Sequence, residues 1–518
     1  MPPASAIPLD LAESQEAILA FLGAGSAFAG HGPPVRVDTH AASIFLSGTR
    51  AWKLKRAVRF NYLDFSTPER RRTALETELR LNRRTAPQLY RAVHPVTRDP
   101  TGQLAIDGEG EAVDWLLEMH RFPDDALLDT LAGRGLLDAA MLMRLADRIS
   151  AFHTAAEVVA SDVGSARFQS VIDGNTASMA AFPAILAPAK VARLGVRLTA
   201  TAAEFAPLLD ERARTGRVRH GHGDLHLANI ALIDGEPTLF DCLEFSAYLA
   251  TVDVLYDLAF LLMDLWQRDL RPEANIVFNR YLDLSAEDED GITLLPLFLA
   301  VRATIRAHVL AAQSARHGKC SSFARRACDY LDLAINLLEP VAPRAVAVGG
   351  LSGTGKSTLA RALGGYLGRS PGARILRSDV LRKRIAGLTP ETQLPATSYS
   401  TASSAAVYAK LDQMASAALV SGQAVITDAV FARRAQRDAI ATVAELASVR
   451  FDGLWLQAPE TQLIDRIASR GPDASDADAN VVAVQARQEI GELGDWKVVV
   501  ATCAPEKVVA AALAVLNV

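Results

Sequence analysis

The sequence predicts an α+β part with two lobes, followed by an α/β part built on a mostly parallel sheet. Three observations lead there. First, two strand-like runs, 42–46 and 51–58, flank Ser47-Gly48-Thr49-Arg50, and Pro68 then opens a helix running to about residue 85 before Pro87. Second, the pattern from about Leu136 onward is mostly helical, interrupted by a short hairpin, 230–233 and 238–240, around Asp234-Gly235. Third, a Pro-containing break at 339–344 is followed by five short apolar runs, 345–348, 374–377, 424–427, 453–457 and 497–501, separated by helical stretches. Apolar strands alternating with helices form a parallel sheet covered on both faces.

At 518 residues the chain is too long for one core. The break divides it into a domain at 1–340, with a small lobe at about 36–120 and a helical lobe at about 121–340, and a second domain at 341–518. The net charge of -5 gives no bulk attraction to nucleic acid or to an anionic membrane. Cys242, Cys320, Cys328 and Cys503 are scattered without a C-x-x-C pair, which fits a reducing compartment and no disulfide framework. The N-terminus lacks the basic start of a signal peptide. The apolar run 258–263 lies between Asp257 and Asp264, too short to span a bilayer. A cytoplasmic protein without a membrane partner is expected.

In the first small lobe, Lys53 and Lys55 share one face of the second strand. On the following helix Glu78 falls among Leu75, Leu79 and Asn82 at helical spacing, so a carboxylate lies in the inward arc and needs a cationic partner. Glu76 points about 160° away, toward solvent. Both lysines are candidates; Lys55 is favoured because the apolar run leads into it. Downstream lie His222-Gly223-Asp224-Leu225-His226-Leu227-Ala228-Asn229 and Phe240-Asp241. Two carboxylates and an amide are costly to bury together, but make electrostatic sense around a dication and ATP phosphates.

This segment resembles the catalytic segment of aminoglycoside phosphotransferases and related protein-kinase-like enzymes. The resemblance implies that Asp224 orients and deprotonates the attacking hydroxyl and that Asn229 and Asp241 hold Mg²⁺. It also implies that a small-lobe lysine, Lys53 or Lys55, pairs with Glu78 beside the ATP phosphates, and that Asp257 braces the catalytic loop. The chain departs from D-F-G with Asp241-Cys242-Leu243-Glu244, which makes Glu244 an extra metal or supporting group. His222 reads as a structural hydrogen-bonding residue.

In the second domain, Gly350 to Ser357 fits G-x-x-x-x-G-K-[ST], with a strand before it and a helix carrying Leu359, Leu363 and Leu367 after it. Gly350, Gly353 and Gly355 let backbone N–H groups wrap phosphate, with Thr354 and Thr358 in the same nucleotide-binding stretch. Lys356 reaches the β- and γ-phosphates, and the Ser357 hydroxyl ligates Mg²⁺. Asp379, in Arg377-Ser378-Asp379-Val380-Leu381-Arg382, stands at the carboxyl end of the second strand, where open α/β sheets bind ligands. It is placed to take a proton from a substrate hydroxyl, and Arg382 to hold an anionic group. Asp428 ends the third strand as a second magnesium-holding carboxylate. Arg466 and Arg470, four apart on one helix face, are placed to neutralise transition-state charge.

Residues 344–518 resemble the zeta-toxin and gluconate-kinase-like P-loop kinases. The stretches THAASIFLSGTRAWKLKRAV and ELRLNRRTAP further resemble a bacterial group in which an aminoglycoside-phosphotransferase-like domain is fused to a P-loop kinase. Together these resemblances imply a bifunctional ATP- and Mg²⁺-dependent phosphotransferase acting on small molecules that bear a hydroxyl. Two alternatives stand beside it. In one, a domain senses or hydrolyses ATP and gates the other; in the second, the N-terminal domain transfers a nucleotidyl group. A polycationic acceptor needs acidic lining, and the densest acidic run in the first domain is Glu287-Asp288-Glu289-Asp290. Neither acceptor nor the oligomeric state is encoded in these motifs.

Overall fold

The computed structural model describes residues 9–28, 32–39, 41–60, 63–317, 322–469 and 474–517. The chain packs as two compact units, one of 1–261 with 305–328 and the other of 262–304 with 329–518.

The first unit has a kinase-like, two-lobed α+β arrangement. Its six-stranded antiparallel sheet has the order Val35–Asp38, Ala42–Ser47, Arg50–Lys55, Glu111–His120, Tyr90–Arg98, Leu104–Ile106. Gly48, at φ 55°, and Thr49 turn the hairpin between Ala42–Ser47 and Arg50–Lys55. The second of these strands stops at Lys55, short of the expected 58, because the Ala57 N–H leaves the ladder and donates to Gln15 Oε1 at 2.6 Å. Alternation along the strand sets its two faces. Trp52 and Leu54 pack with Ile18, Leu22, Phe45, Val96 and Leu116, whereas the lysines face the other way.

The helix Pro68–Asn82 begins at Thr67, whose hydroxyl accepts from the Arg70 N–H. It ends at Asn82, short of the expected 85, where the helical ladder gives way to turns in which the Thr85 and Ala86 N–H groups both donate to Asn82 O at 3.1 and 2.7 Å; the Asn82 side chain donates to Glu78 O and accepts from the Cys242 N–H. Further along, strands Ile230–Ile233 and Glu236–Leu239 form the second hairpin, turned by Asp234 and Gly235, both at positive φ. A bidentate pair, Arg212 to Asp253 at 2.7 and 2.9 Å, is buried among the helices of this unit.

The second unit is built on a five-stranded sheet ordered Arg374–Arg377, Val425–Asp428, Arg344–Gly349, Arg450–Gln457, Lys497–Val500, with every pairing parallel. Val346, Val348, Ile426 and Leu454 face one layer of helices, and Ala345, Ala347 and Trp455 the other. Both faces are therefore apolar, as a covered parallel sheet requires.

The edge strand Arg374–Arg377 is capped by a helix from much earlier in the chain, Arg271–Leu284. Asn279 Oδ1 accepts from the Ile375 N–H at 2.7 Å, and the amides of Asn275 and Asn279 donate to Ala373 O at 2.9 and 3.0 Å. The fit is close: a Cβ on Gly364 would lie within 2.0 Å of Asn275 Oδ1. These side chains satisfy backbone groups that an open edge leaves exposed. Arg374, 1% exposed, joins Asp283 at 2.9 Å and Glu289 at 2.7 Å. Glu289 also meets Arg384, and Asp288 is 2% exposed, so the acidic run at 287–290 is largely committed to this packing and does not lie as an open loop. One stretch, Ala286–Ala315, is long and apolar enough to cross a membrane, and 72% of its apolar window is buried inside the protein.

Candidate active sites

The first site gathers on the polar face of the strand Arg50–Lys55. Lys53 Nζ lies 2.5 Å from Glu78 Oε1 and 2.7 Å from Asp241 Oδ1. Lys55 Nζ lies 2.7 Å from Glu78 Oε2, as an ion pair without hydrogen-bond alignment, and 2.5 Å from Glu244 Oε1. Glu78 thus serves both lysines, and the charges alternate along Glu244, Lys55, Glu78, Lys53 and Asp241. Only Lys53 reaches the Asp241 end.

Asp241 follows the hairpin at φ 61°, a left-handed conformation uncommon outside glycine. Two side chains hold it there: Tyr90 Oη accepts from the Asp241 N–H at 3.1 Å, and Asn82 Oδ1 from the Cys242 N–H at 2.8 Å. Neither residue had been singled out for this task. Asn82 carried a signal, a polar residue in the inward arc of its helix; Tyr90 carried none. The Asp241 side chain remains 42% exposed. Burial pushes its carboxyl up, but Lys53, which also hydrogen-bonds it, and Lys55 outweigh that and hold it below the usual carboxylate value.

Asp224 and Asn229 share the catalytic-loop turn. Asn229 Nδ2 donates to Asp224 O and to Asp224 Oδ2, each at 2.9 Å. His226 Nε2 stands 3.5 Å from Asp224 Oδ2. Burial raises the Asp224 carboxyl, but His226, then Arg306 and His222, overcome this and hold it well below the ordinary value. The loop is braced from beneath by Asp257, fully buried, which accepts from the His222 N–H at 2.7 Å and the Gly223 N–H at 2.9 Å. It acts as a brace and not only as a helix-terminal residue. His222, also fully buried, bonds Phe240 O through Nε2 at 2.9 Å and ties the loop to the hairpin end.

The second site forms at the carboxyl ends of the parallel strands. Gly350, Gly353 and Gly355 all have positive φ. A Cβ on Gly353 would come within 2.7 Å of Leu463 O, so the position needs glycine for space as well as conformation. Gly355 caps the helix Lys356–Gly364, whose N-terminus points the free N–H groups at the loop. Thr354 Oγ1 donates to Leu351 O at 2.8 Å and Lys356 Nζ to the same carbonyl at 2.9 Å, while Thr358 lies exposed on the helix. Gln485 Oε1 accepts from the Ser352 N–H at 2.8 Å, a loop contact that no motif signalled.

Ser357 Oγ donates to Asp428 Oδ2 at 2.6 Å, and Arg377 Nε lies 3.5 Å from the same oxygen. Asp379 stands in the first turn of the helix Ser378–Ile385. Burial pushes its carboxyl up, the Asp428 charge adds to this, and Arg377 and Lys356 oppose it without cancelling it. Arg382 lies over the Tyr399 ring at 4.7 Å and donates to Ser398 O. Arg466, on the helix Glu460–Ala468, donates to Ala501 O at 2.7 Å. Arg470 lies outside the described residues.

Among the described residues, no group of three or more His, Cys, Asp or Glu side chains is disposed to hold a metal ion by itself. Mg²⁺ in phosphoryl-transfer sites commonly relies on one or two carboxylates plus substrate phosphates and water. The donor sets here have that composition: Asp241 with Asn229, and Asp428 with Ser357. At the first site two ammonium groups pair with the three carboxylates of Glu78, Asp241 and Glu244, which leaves a net negative charge beside Asp241 that suits a dication.

Comparison with known proteins places these sites in context. Residues 346–489 match the family model described as AAA domain. Solved structures similar to parts of the chain include a sugar kinase from Janibacter sp. HTCC2649, 21% identical, covering 34% of this chain and 95% of that one, with TM-score 0.26. They also include a choline/ethanolamine kinase family protein from Mesorhizobium loti, 14% identical, covering 63% of this chain and 95% of that one, with TM-score 0.38. The architecture joins a kinase-like, two-lobed part to a P-loop NTPase domain, an ATP-binding module. Over most of its length the chain is similar to the Mycobacterium tuberculosis protein named Uncharacterized protein Rv2004c, 30% identical over 480 residues, 89% of this chain and 90% of that protein. Mycobacterium bovis has a counterpart, Uncharacterized protein Mb2027c, with the same identity and coverage. The chain belongs to the family of these mycobacterial proteins.

Proposed function

We propose that this protein is an ATP- and Mg²⁺-dependent phosphotransferase with two separate nucleotide sites, each passing the γ-phosphoryl group to a hydroxyl of a small molecule. The observation that carries the reading is that each site joins a lysine for phosphate to a carboxylate for metal and a second carboxylate free to accept a proton. At the first site these are Lys53, Asp241 and Asp224. At the second they are Lys356, Asp428 and Asp379.

Asp224 takes the proton of the acceptor hydroxyl as that oxygen attacks phosphorus, while Asn229 keeps the carboxylate turned toward it. Lys53, steadied by Glu78, meets the phosphates. At the second site the loop N–H groups cradle phosphate, Lys356 exchanges Leu351 O for phosphate oxygen, and Asp379 accepts the proton. Asp241 with Asn229, and Ser357 with Asp428, would hold Mg²⁺; when bound it neutralises charge on the β- and γ-phosphoryl oxygens. A polycationic acceptor is disfavoured, since Glu289 is committed to Arg374 and Arg384 and Arg306 adds positive potential at Asp224.

The test is ATP turnover and nucleotide binding with Asp224→Ala, Lys356→Ala and the double variant, together with a metabolite screen read by mass spectrometry. Each single variant is expected to retain the other site's turnover, and the double variant to have no turnover. Loss of all nucleotide binding in Lys356→Ala alone would show that the N-terminal part is not an independent ATP site. An AMP adduct in place of a phosphate adduct would identify nucleotidyl transfer.

A further inference from the structure

We propose that the paired lysines divide their labour: Lys53 serves the phosphates, and Lys55 with Glu244 forms a buried fastening that holds the Asp241 segment ready for metal. The inference rests on the N-terminal reading above and assigns positioning roles to residues on which that reading is silent.

The two lysines occupy equivalent faces of one strand and share Glu78, yet their second partners differ. Lys53 reaches Asp241, whose side chain is open to ligand. Lys55 reaches Glu244, three residues further on, in a pair whose side chains are only 5% and 10% exposed. Each lysine meets two carboxylates, but the second partner of Lys53, Asp241, is open at 42% exposure, whereas Lys55 is enclosed by Glu78, Glu244 and the Phe65 ring at 5.3 Å and has no exposed partner to exchange for a nucleotide. Its contact instead spans 189 residues of sequence and joins the strand to the segment that carries the metal carboxylate.

Two further contacts converge on that short segment. Tyr90 Oη holds the Asp241 N–H, and Asn82 Oδ1 holds the Cys242 N–H. Three small-lobe elements therefore tie down residues 241–244: the strand Arg50–Lys55 through Lys53 and Lys55, and the strand Tyr90–Arg98 and the helix Pro68–Asn82 through one side chain each. They hold Asp241 at its positive φ, a left-handed conformation that is sparsely populated outside glycine. The Lys55–Glu244 pair is the charged tie that does not engage the Asp241 carboxylate itself. Removing it leaves the phosphate lysine in place and loosens the metal carboxylate.

The experiment compares Lys53→Met, Lys55→Met, Glu244→Gln and Lys55→Met/Glu244→Met in the full-length chain carrying Lys356→Ala. Two quantities are read: affinity for a fluorescent ATP analogue without divalent metal, and the Mg²⁺ concentration giving half-maximal Asp224-dependent turnover. Lys53→Met is expected to weaken metal-free nucleotide binding by about tenfold or more, through loss of a charge-assisted contact. The other three are expected to leave that affinity within about twofold and to raise the Mg²⁺ requirement by about tenfold, as loss of supporting contacts to a metal ligand does. The double variant replaces a buried ion pair by an apolar pair and guards against a trivial folding defect.

Hydrogen exchange at the Asp241 and Cys242 amides gives a reading independent of activity: faster exchange without the Lys55–Glu244 pair, in otherwise protected protein. If Lys55→Met weakens metal-free nucleotide binding as Lys53→Met does, or if Glu244→Gln changes neither the Mg²⁺ requirement nor the exchange, the proposal is wrong. Absence of Asp224-dependent turnover in the starting protein would instead sink the phosphotransferase reading, and the exchange measurement would still decide whether the pair fastens the segment.

Discussion

Replacing Asn279 by alanine tests the joint between the helix Arg271–Leu284 and the edge of the parallel sheet. The side chain makes three contacts there: it accepts from the Ile375 N–H at 2.7 Å and from Arg374 at 3.0 Å, and donates to Ala373 O at 3.0 Å. Alanine leaves the Ile375 N–H buried without this partner, which costs about 1–3 kcal/mol. The other losses are softer. Ala373 O keeps Asn275 at 2.9 Å, and the Arg374 NH1 group keeps Ile375 O at 2.7 Å, so together they add about 1 kcal/mol. The expected destabilisation of the sheet-bearing unit is therefore about 2–4 kcal/mol.

Urea unfolding followed by residue-resolved hydrogen exchange is the suitable assay, because a chain with two compact units need not unfold in one step. The Ile375 amide should lose protection first. Asn279→Asp, which keeps the acceptor oxygen, should retain Ile375 protection while losing the donor bonds to Ala373 O and Asn275. Unchanged exchange at Ile375 together with a shift under about 1 kcal/mol would refute the idea that this asparagine seals the edge.

Two other predictions concern the sites. Asp257→Ala removes a charged acceptor from the His222 and Gly223 N–H groups, at about 1.5–3 kcal/mol each, so those amides should exchange faster and kcat of the N-terminal site should fall more than its KM for ATP changes; equal protection in variant and parent would show that the brace is dispensable. For Asp379 the sign of the pH effect follows from a raised carboxyl. The folded state binds this proton more tightly than the unfolded chain does, so ionisation of Asp379 lowers stability as pH rises through its folded pKa, and turnover is lost as pH falls through it. Asp379→Asn should accordingly match or exceed the parent in thermal stability at neutral pH while abolishing acceptor phosphorylation at the P-loop site. A less stable but active variant would contradict both halves.

What could be read in the sequence was local or periodic. Strand alternation put Lys53 and Lys55 on one face, and helix spacing put Glu78 inward; their ion pairs follow from those two periods. The edges of elements were less legible, because some are settled by a partner distant in sequence. The second strand, for instance, stops where Gln15, 42 residues earlier, takes the Ala57 N–H. The acidic run at 287–290 suggested lining for a cationic ligand; nothing within the run shows that Arg374, 85 residues beyond Glu289, lies against it.

Sequence alone determined the phosphate loop, because the chemistry of Gly350–Ser357 lies in consecutive residues whose backbone conformation glycine sets directly. It also determined the sheet's parallel character, through short apolar strands alternating with helices. Only the tertiary structure decided which lysine meets Asp241 and which meets Glu244, and which earlier helix seals the open strand edge. Those outcomes rest on single side-chain contacts 91 to 189 residues apart in sequence. Their geometry exists only once packing has brought the partners together, and no local preference along the chain encodes it.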